Sequence, residues 1–218
     1  MTPHHPMVRH HPPMDLLISH AAGTLAVERR LVMATHLRAC AACRREVALA
    51  EGAGGALLSD LPPTDMQPDA LALTLARIDR PVALRPTPAA PARPDWIDVP
   101  SPVLEAAYRR RRWAAPGVWI APVTGRAGGP RSYLLGVAAG MSVPLHTHRG
   151  EEMVCVLKGA YTDRGDIHHP GDFALNAAEV EHRPTVTEQD ECVCLVAVDG
   201  ALIARDWVGR LFQPLVGI

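Results

Sequence analysis

Apolar positions along the chain follow two different rhythms. Up to about residue 80 they recur at helical spacing. Asp15 to Ala22 carries Leu16, Leu17 and Ile18 and stops at Gly23, a residue suited to a helix C-terminus. Thr24 is a candidate N-cap for a second helix, whose apolar side is Leu25, Leu31, Val32 and Leu37, with Glu28, Arg29 and Arg30 outside. Arg44 to Leu49 keeps the helical habit, and Gly52, Gly54 and Gly55 are expected to break it. After Leu61-Pro62-Pro63 a short helix is predicted from about Pro68. Its Leu71, Leu75 and Ile78, at i, i+4 and i+7, form an apolar stripe on a helix too short to stand alone.

From about Trp113 the rhythm changes. Short stretches rich in Val, Leu, Ile and aromatics alternate with Gly and Pro: Gly117 to Ile120, Ser132 to Val137, Met153 to Leu157 and Val193 to Val198. This spacing predicts an antiparallel β-sandwich or barrel. Between the two regions, Arg80 to Pro102 contains seven prolines and favours extended conformations over a packed core. The expectation is an α+β chain of two domains: helices over 1–80, a proline-rich linker over 81–102, and a β-barrel over 103–218.

Composition narrows the function classes. The net charge of −1 over 218 residues implies no general binding of polyanions, and the four arginines Arg109 to Arg112 read as a solvated face. No apolar run is long enough to span a bilayer. Met1 to Pro13, rich in histidine and proline, has no hydrophobic segment of the signal-peptide kind. Five cysteines at these spacings do not resemble a secreted disulfide framework. In a reducing cytoplasm they suit metal ligands, redox groups or core positions.

Two constellations carry chemistry. The first is His36-x3-Cys40-x2-Cys43. At about 100° per residue these three share one face if the helix runs through, and Cys-x2-Cys also suits a helix start. Imidazole nitrogen and thiolate sulfur suit a tetrahedral zinc site. A closed site needs a fourth ligand, expected from the flexible start. His11 leaves one short helix between itself and His36; His10 is a rival, and His20, inside the first helix, a weaker one. The second constellation is Gly140-x5-His146-x-His148-x3-Glu152-x6-Gly159. His146 and His148 at i and i+2 on a strand point to one face, and Glu152 has the same parity. Beyond the Pro170-Gly171-Asp172 turn, His182 could arrive from another strand to complete a set of three histidines and a glutamate. Such donors accept Zn2+, Fe2+, Mn2+, Ni2+ or Cu2+. His168 and His169, beside the turn, are expected at the surface. Cys192 and Cys194 share one face of a late strand, and they and Cys155 are expected as small core residues; a redox role near the barrel metal is the sharper option.

The first set, His11-x24-His36-x3-Cys40-x2-Cys43 with Ala21-Ala22-Gly23-Thr24-Leu25 between, resembles the zinc-binding anti-sigma domain over roughly residues 10–80. The second resembles the two cupin motifs, although Asn176 to Ala178 stands where a proline is common. In this order the whole chain resembles the ChrR type of zinc anti-sigma factor. The resemblance implies a cytoplasmic transcription regulator. Its helical unit, with zinc at His11, His36, Cys40 and Cys43, would hold an extracytoplasmic-function sigma factor. Its cupin, with zinc or another divalent metal at His146, His148, Glu152 and His182, would sense an oxidant such as singlet oxygen. A different class of function is a cupin metalloenzyme of dioxygenase or isomerase type, and a third is a barrel that binds a small effector without chemistry. No separate general acid or base stands out in the barrel segment to favour catalysis.

Overall fold

The computed structural model describes residues 8–80, 102–125, 129–178, 180–200 and 202–205. Almost all of the expected linker, and His4 and His5, lie outside the described residues. Helices α1 (Met14–Ala21), α2 (Val27–Ala39), α3 (Ala41–Ser59) and α4 (Ala70–Ile78) come first, then α5 (Pro102–Arg109). The strands follow. A six-stranded antiparallel sheet has the order β1 (Arg112–Ala115), β2 (Val118–Gly125), β3 (Arg131–Val137), β10 (Cys192–Val198), β5 (Glu152–Lys158), β8 (Phe173–Asn176). Two smaller sheets pair β11 (Leu202–Ala204) with β4 (His146–His148), and order β7 (Asp166–His168), β6 (Tyr161–Asp163) and β9 (Thr185–Val186).

Strand β10 explains how the molecule is layered. All seven of its residues are buried, which an antiparallel strand requires only when both faces of its sheet are covered. Alternate residues divide between two cores. Cys192, Cys194, Val196 and Val198 face the barrel interior with Ile120, Tyr133, Val154, Val156, Tyr161 and Val186. Val193, Leu195 and Ala197 face the other way, into a cluster with Leu16, Leu17, Val32, Met33, Leu37 and Leu104. Helices α2 and α5 thus roof the outer face of the six-stranded sheet, and α1 and α3 pack on α2 and on each other. At about 1.5–3 kcal/mol for each fully buried aliphatic side chain, Val32 and Met33 alone, both 0% exposed, anchor α2 firmly. Gly136 contributes by lacking a side chain: a Cβ there would lie 2.0 Å from the Trp119 ring opposite.

Several local expectations are revised. Thr24 does not cap α2; its hydroxyl donates to the Ser19 carbonyl, and α2 begins at Val27 without a side-chain cap. Of the two courses open to residues 36–43, one continuous helix or a new start near Cys40, the chain takes the second. Cys40 is extended (φ −104°, ψ 104°) and becomes the N-cap of α3, its sulfur accepting the Cys43 N–H. Gly52, Gly54 and Gly55 do not end α3, which runs on to Ser59 with open space around each glycine. Each costs about 1 kcal/mol of helix propensity against Ala, and a long helix tolerates this where nothing must pack. The polar side of α2 is not free either. Glu28 is buried, and Arg29 pairs with Glu151 and, at 2.9 Å, with Asp199 of the barrel.

Candidate metal centres

The helical cluster is built at a break between helices. Ending α2 at Ala39 turns the chain so that His36, on the last turn of α2, and Cys40 and Cys43, on the first of α3, converge. Arg44 secures the break by donating to the Leu37 carbonyl at 2.6 Å and the Arg38 carbonyl at 3.0 Å, acceptors that a helix end leaves unpaired. The segment before α1 supplies His11, whose Nδ1 lies 3.3 Å from Cys40 Sγ and 3.4 Å from Cys43 Sγ. One donor atom from each of His11, His36, Cys40 and Cys43 falls within 4.8 Å of all the others. Tetrahedral zinc, with bonds of about 2.0 Å to nitrogen and 2.3 Å to sulfur, sets N···S edges near ~3.5 Å, so the spacing fits. His36 Nδ1 donates to the Gly171 carbonyl at 2.8 Å, which leaves Nε2 buried and without a hydrogen-bond partner among the described residues. Burial keeps His36 neutral by lowering its pKa, against the bond to Gly171. Burial, then the neighbouring Cys40, pushes the Cys43 thiol up to about 12; a cation at the cluster would supply the charge that a thiolate needs there.

His10 and His20 do not join. The His10 ring packs at a tilt on His168, centroids 4.2 Å apart, and His168 in turn stacks on Tyr161 at 4.7 Å. His168 is therefore half-buried packing between the N-terminal segment and the barrel, where a surface position was expected.

In the barrel, β4 presents His146 and His148, which are buried, and β5 presents Glu152 at its first residue. His182 comes through an isolated antiparallel bridge to His146. Their donor atoms also lie within 4.8 Å of one another. His148 Nε2 is 3.2 Å from His182 Nε2 and 3.4 Å from the Glu152 carboxylate. In two of the rings the second nitrogen fixes which one faces inward: His146 Nδ1 donates to the Pro144 carbonyl at 2.8 Å and His182 Nδ1 to Asp163 at 3.0 Å, whereas His148 Nδ1 is buried without a hydrogen-bond partner among the described residues. Burial brings His146 and His148 down to about 4. Three imidazoles and a carboxyl group make a donor set suited to a divalent cation.

Three supporting residues had escaped the sequence reading. Asp163 orients His182. Asn176, noted only as an absent proline, donates to Glu152 at 2.8 Å and accepts from Arg164 at 2.7 Å. Asp163 and Arg164 sit at the β6–β7 hairpin, whose Arg164-Gly165 centre has positive φ at both positions, the turn type that matches strand twist. A polar residue predicted to face a barrel interior was the available signal for Asn176. Cys192 and Cys194 lie in the barrel core with sulfurs 3.7 Å apart; Cys155 faces the helical side.

Against known proteins, residues 105–201 match the family described as ChrR Cupin-like domain. The chain is 35% identical over 215 residues to the anti-sigma-E factor ChrR of Cereibacter sphaeroides, spanning 97% of this chain and 99% of that protein. Among solved structures it is similar to a chain in the crystal structure of Rhodobacter sphaeroides SigE in complex with the anti-sigma ChrR. The TM-score is 0.73 at 33% identity, covering 88% of this chain and 100% of that one. An RmlC-like cupin protein from Ralstonia eutropha aligns at 22% identity with a TM-score of 0.41, over 46% of this chain and 70% of that one.

Proposed function

The chain belongs to the ChrR family of anti-sigma factors, and we propose that it binds and inhibits an extracytoplasmic-function sigma factor and frees it under oxidative stress, singlet oxygen included. It is a regulator of transcription rather than an enzyme. The observation that carries the reading is a set of large apolar side chains on α3 and α4 that no other described residue covers. Leu49, Leu57, Leu58, Leu71 and Ile78 of α3 and α4 are between 69% and 72% exposed, although the same helical unit buries Leu16, Val32 and Met33. Large apolar side chains left exposed on two successive helices suit an interaction surface. At about 1.5–3 kcal/mol for each such residue covered, a sigma factor seated on α3 and α4 gains a substantial part of the energy of a stable complex.

In this reading residues 1–80 hold the sigma factor, 81–102 link, and 103–218 sense. Zinc occupies His11, His36, Cys40 and Cys43, where it supplies a cross-link between the N-terminal segment, α2 and α3. Zinc or another divalent metal occupies His146, His148, Glu152 and His182 and ties β4, β5 and the 182 bridge together. The described residues hold no helix long and apolar enough to cross a membrane. The cytoplasm, where RNA polymerase and reduced thiols are found, is the place such a protein would work.

Co-purification tests the reading. The intact chain retains an extracytoplasmic-function sigma factor, and Cys40→Ala/Cys43→Ala loses it. His146→Ala retains it but releases less of it when singlet oxygen is generated. Equal retention by the double variant would sink the metal-dependent clamp.

A further inference from the structure

The helical metal cluster is not closed by helices alone: one turn of the barrel bonds His36 directly and fastens the two residues before His11. Gly171 accepts His36 Nδ1–H at 2.8 Å. The next residue, Asp172, is 1% exposed, and one of its oxygens accepts the backbone N–H of Arg9 at 2.7 Å and of His10 at 3.0 Å. Its other oxygen accepts the His169 N–H at 2.8 Å. The His10 carbonyl accepts the Phe173 N–H at 3.0 Å. The segment that delivers His11 is therefore fastened to the start of β8 one residue before the donor. Gly171 marks the closest approach. Its φ is +92°, and a Cβ there would lie 2.9 Å from both Ala39 Cβ and Val8 Cγ2.

We propose that the His169–Phe173 turn is a positioning element for the helical metal cluster, so that docking of the helices on the barrel and occupancy of that cluster stabilise each other. A buried carboxylate taking three backbone N–H bonds is a strong, directional anchor. Partners that orient metal ligands are typically worth about 10–100-fold in metal affinity. Linkage makes the effect reciprocal: the factor by which undocking weakens the metal is the factor by which metal loss weakens docking. Strand β8 joins this anchor to the other cluster. It starts at Phe173, beside Asp172, and ends at Asn176, which donates to Glu152. A change at the barrel metal thus has one four-residue strand to cross before it reaches the residues that hold His11 and His36.

The inference rests on reading His11, His36, Cys40 and Cys43 as a metal site, and cobalt titration of the full chain separates the two. Thiolate-to-cobalt charge-transfer absorption reports on this cluster alone, because the barrel set has no sulfur. Asp172→Ala weakens cobalt binding at the thiolate cluster by about 10–100-fold while near-ultraviolet circular dichroism of the barrel persists. Asp172→Asn, which keeps an accepting oxygen for Arg9 and His10, recovers most of that loss. Arg29→Ala touches neither cluster and loosens docking only; it weakens the same band's titration by about two- to five-fold, the scale of a part-exposed ion pair. If Asp172→Ala does not fold, Arg29→Ala decides. Unchanged cobalt affinity in the variants that fold overturns the positioning role and leaves the metal site standing. Absence of the charge-transfer band in the wild-type chain overturns both.

Discussion

The two clusters reach similar four-donor geometry by opposite routes. The helical one draws three donors from eight consecutive residues, 36–43, and is short of support. Its fourth donor arrives on a segment held by Asp172, and His36 is oriented by a carbonyl 135 residues away. The barrel cluster spreads its donors over 146–182 and draws its support locally: Pro144, Asp163 and Asn176, which bond His146, His182 and Glu152, all belong to the barrel. Proximity in sequence thus does not make a site autonomous. A local motif on helices has little around it to fix side-chain direction, whereas strands of a closed sheet bring their own neighbours.

The difference has consequences that experiment can break or sharpen. The largest concerns metal removal. Structural zinc contributes on the order of 10 kcal/mol to small thiolate-bound units. Chelation is expected to release the helical unit, read as loss of hydrogen-exchange protection over α1–α3, while the six-stranded sheet stays protected. Simultaneous loss in both would make the clusters one cooperative unit.

Acid should act on the barrel next. Burial holds His146 and His148 at about 4, below the ordinary 6.5, so between those values the unfolded metal-free chain binds more protons than the folded one. Stability of the metal-free barrel is then present above pH 6.5 and falls as the pH drops toward 4, by on the order of a few kcal/mol. Thermal midpoints of the chelated protein across this range give the measurement. A flat profile would mean that the histidines are solvated.

Removing a supporting residue should cost less. Asp163→Asn keeps the shape but replaces the carboxylate facing His182, and about 10–100-fold weaker metal binding at the barrel is expected, with the cobalt–thiolate band untouched. The smallest effect lies outside both clusters. Gly52→Ala/Gly54→Ala/Gly55→Ala should stabilise the exposed half of α3 by about 1 kcal/mol per position, seen as added far-ultraviolet helicity. No gain would mean that this half is already held.

Much of this was legible from residue spacing. The pairs Cys40/Cys43 and His146/His148 announce themselves because metal chemistry demands particular donors at intervals set by helix or strand geometry. Glu152 was expected from parity with His146 and His148 along one strand; the chain instead turns after β4, and Glu152 opens β5 in another sheet yet still meets the histidines. The glycines of α3 misled, because a propensity of about 1 kcal/mol per residue is outweighed once a helix is nucleated and continued at both ends. Strand β10 held a clue that went unread. Cys192 to Val198 contains no polar residue, and such a strand in an antiparallel sheet requires cover on both faces.

By itself, then, the sequence pointed to the eight candidate donors and to the change from helix to strand. Those depend on local periodicity and on side-chain chemistry, which travel with the residue. Only the tertiary structure decided that the helices lie on the outer face of the barrel sheet, that Asp172 holds the start of the chain, and that Gly171 orients His36. An apolar stripe records that a segment must be buried but not against what. A backbone carbonyl or a lone aspartate carries no mark of the partner that folding will bring to it.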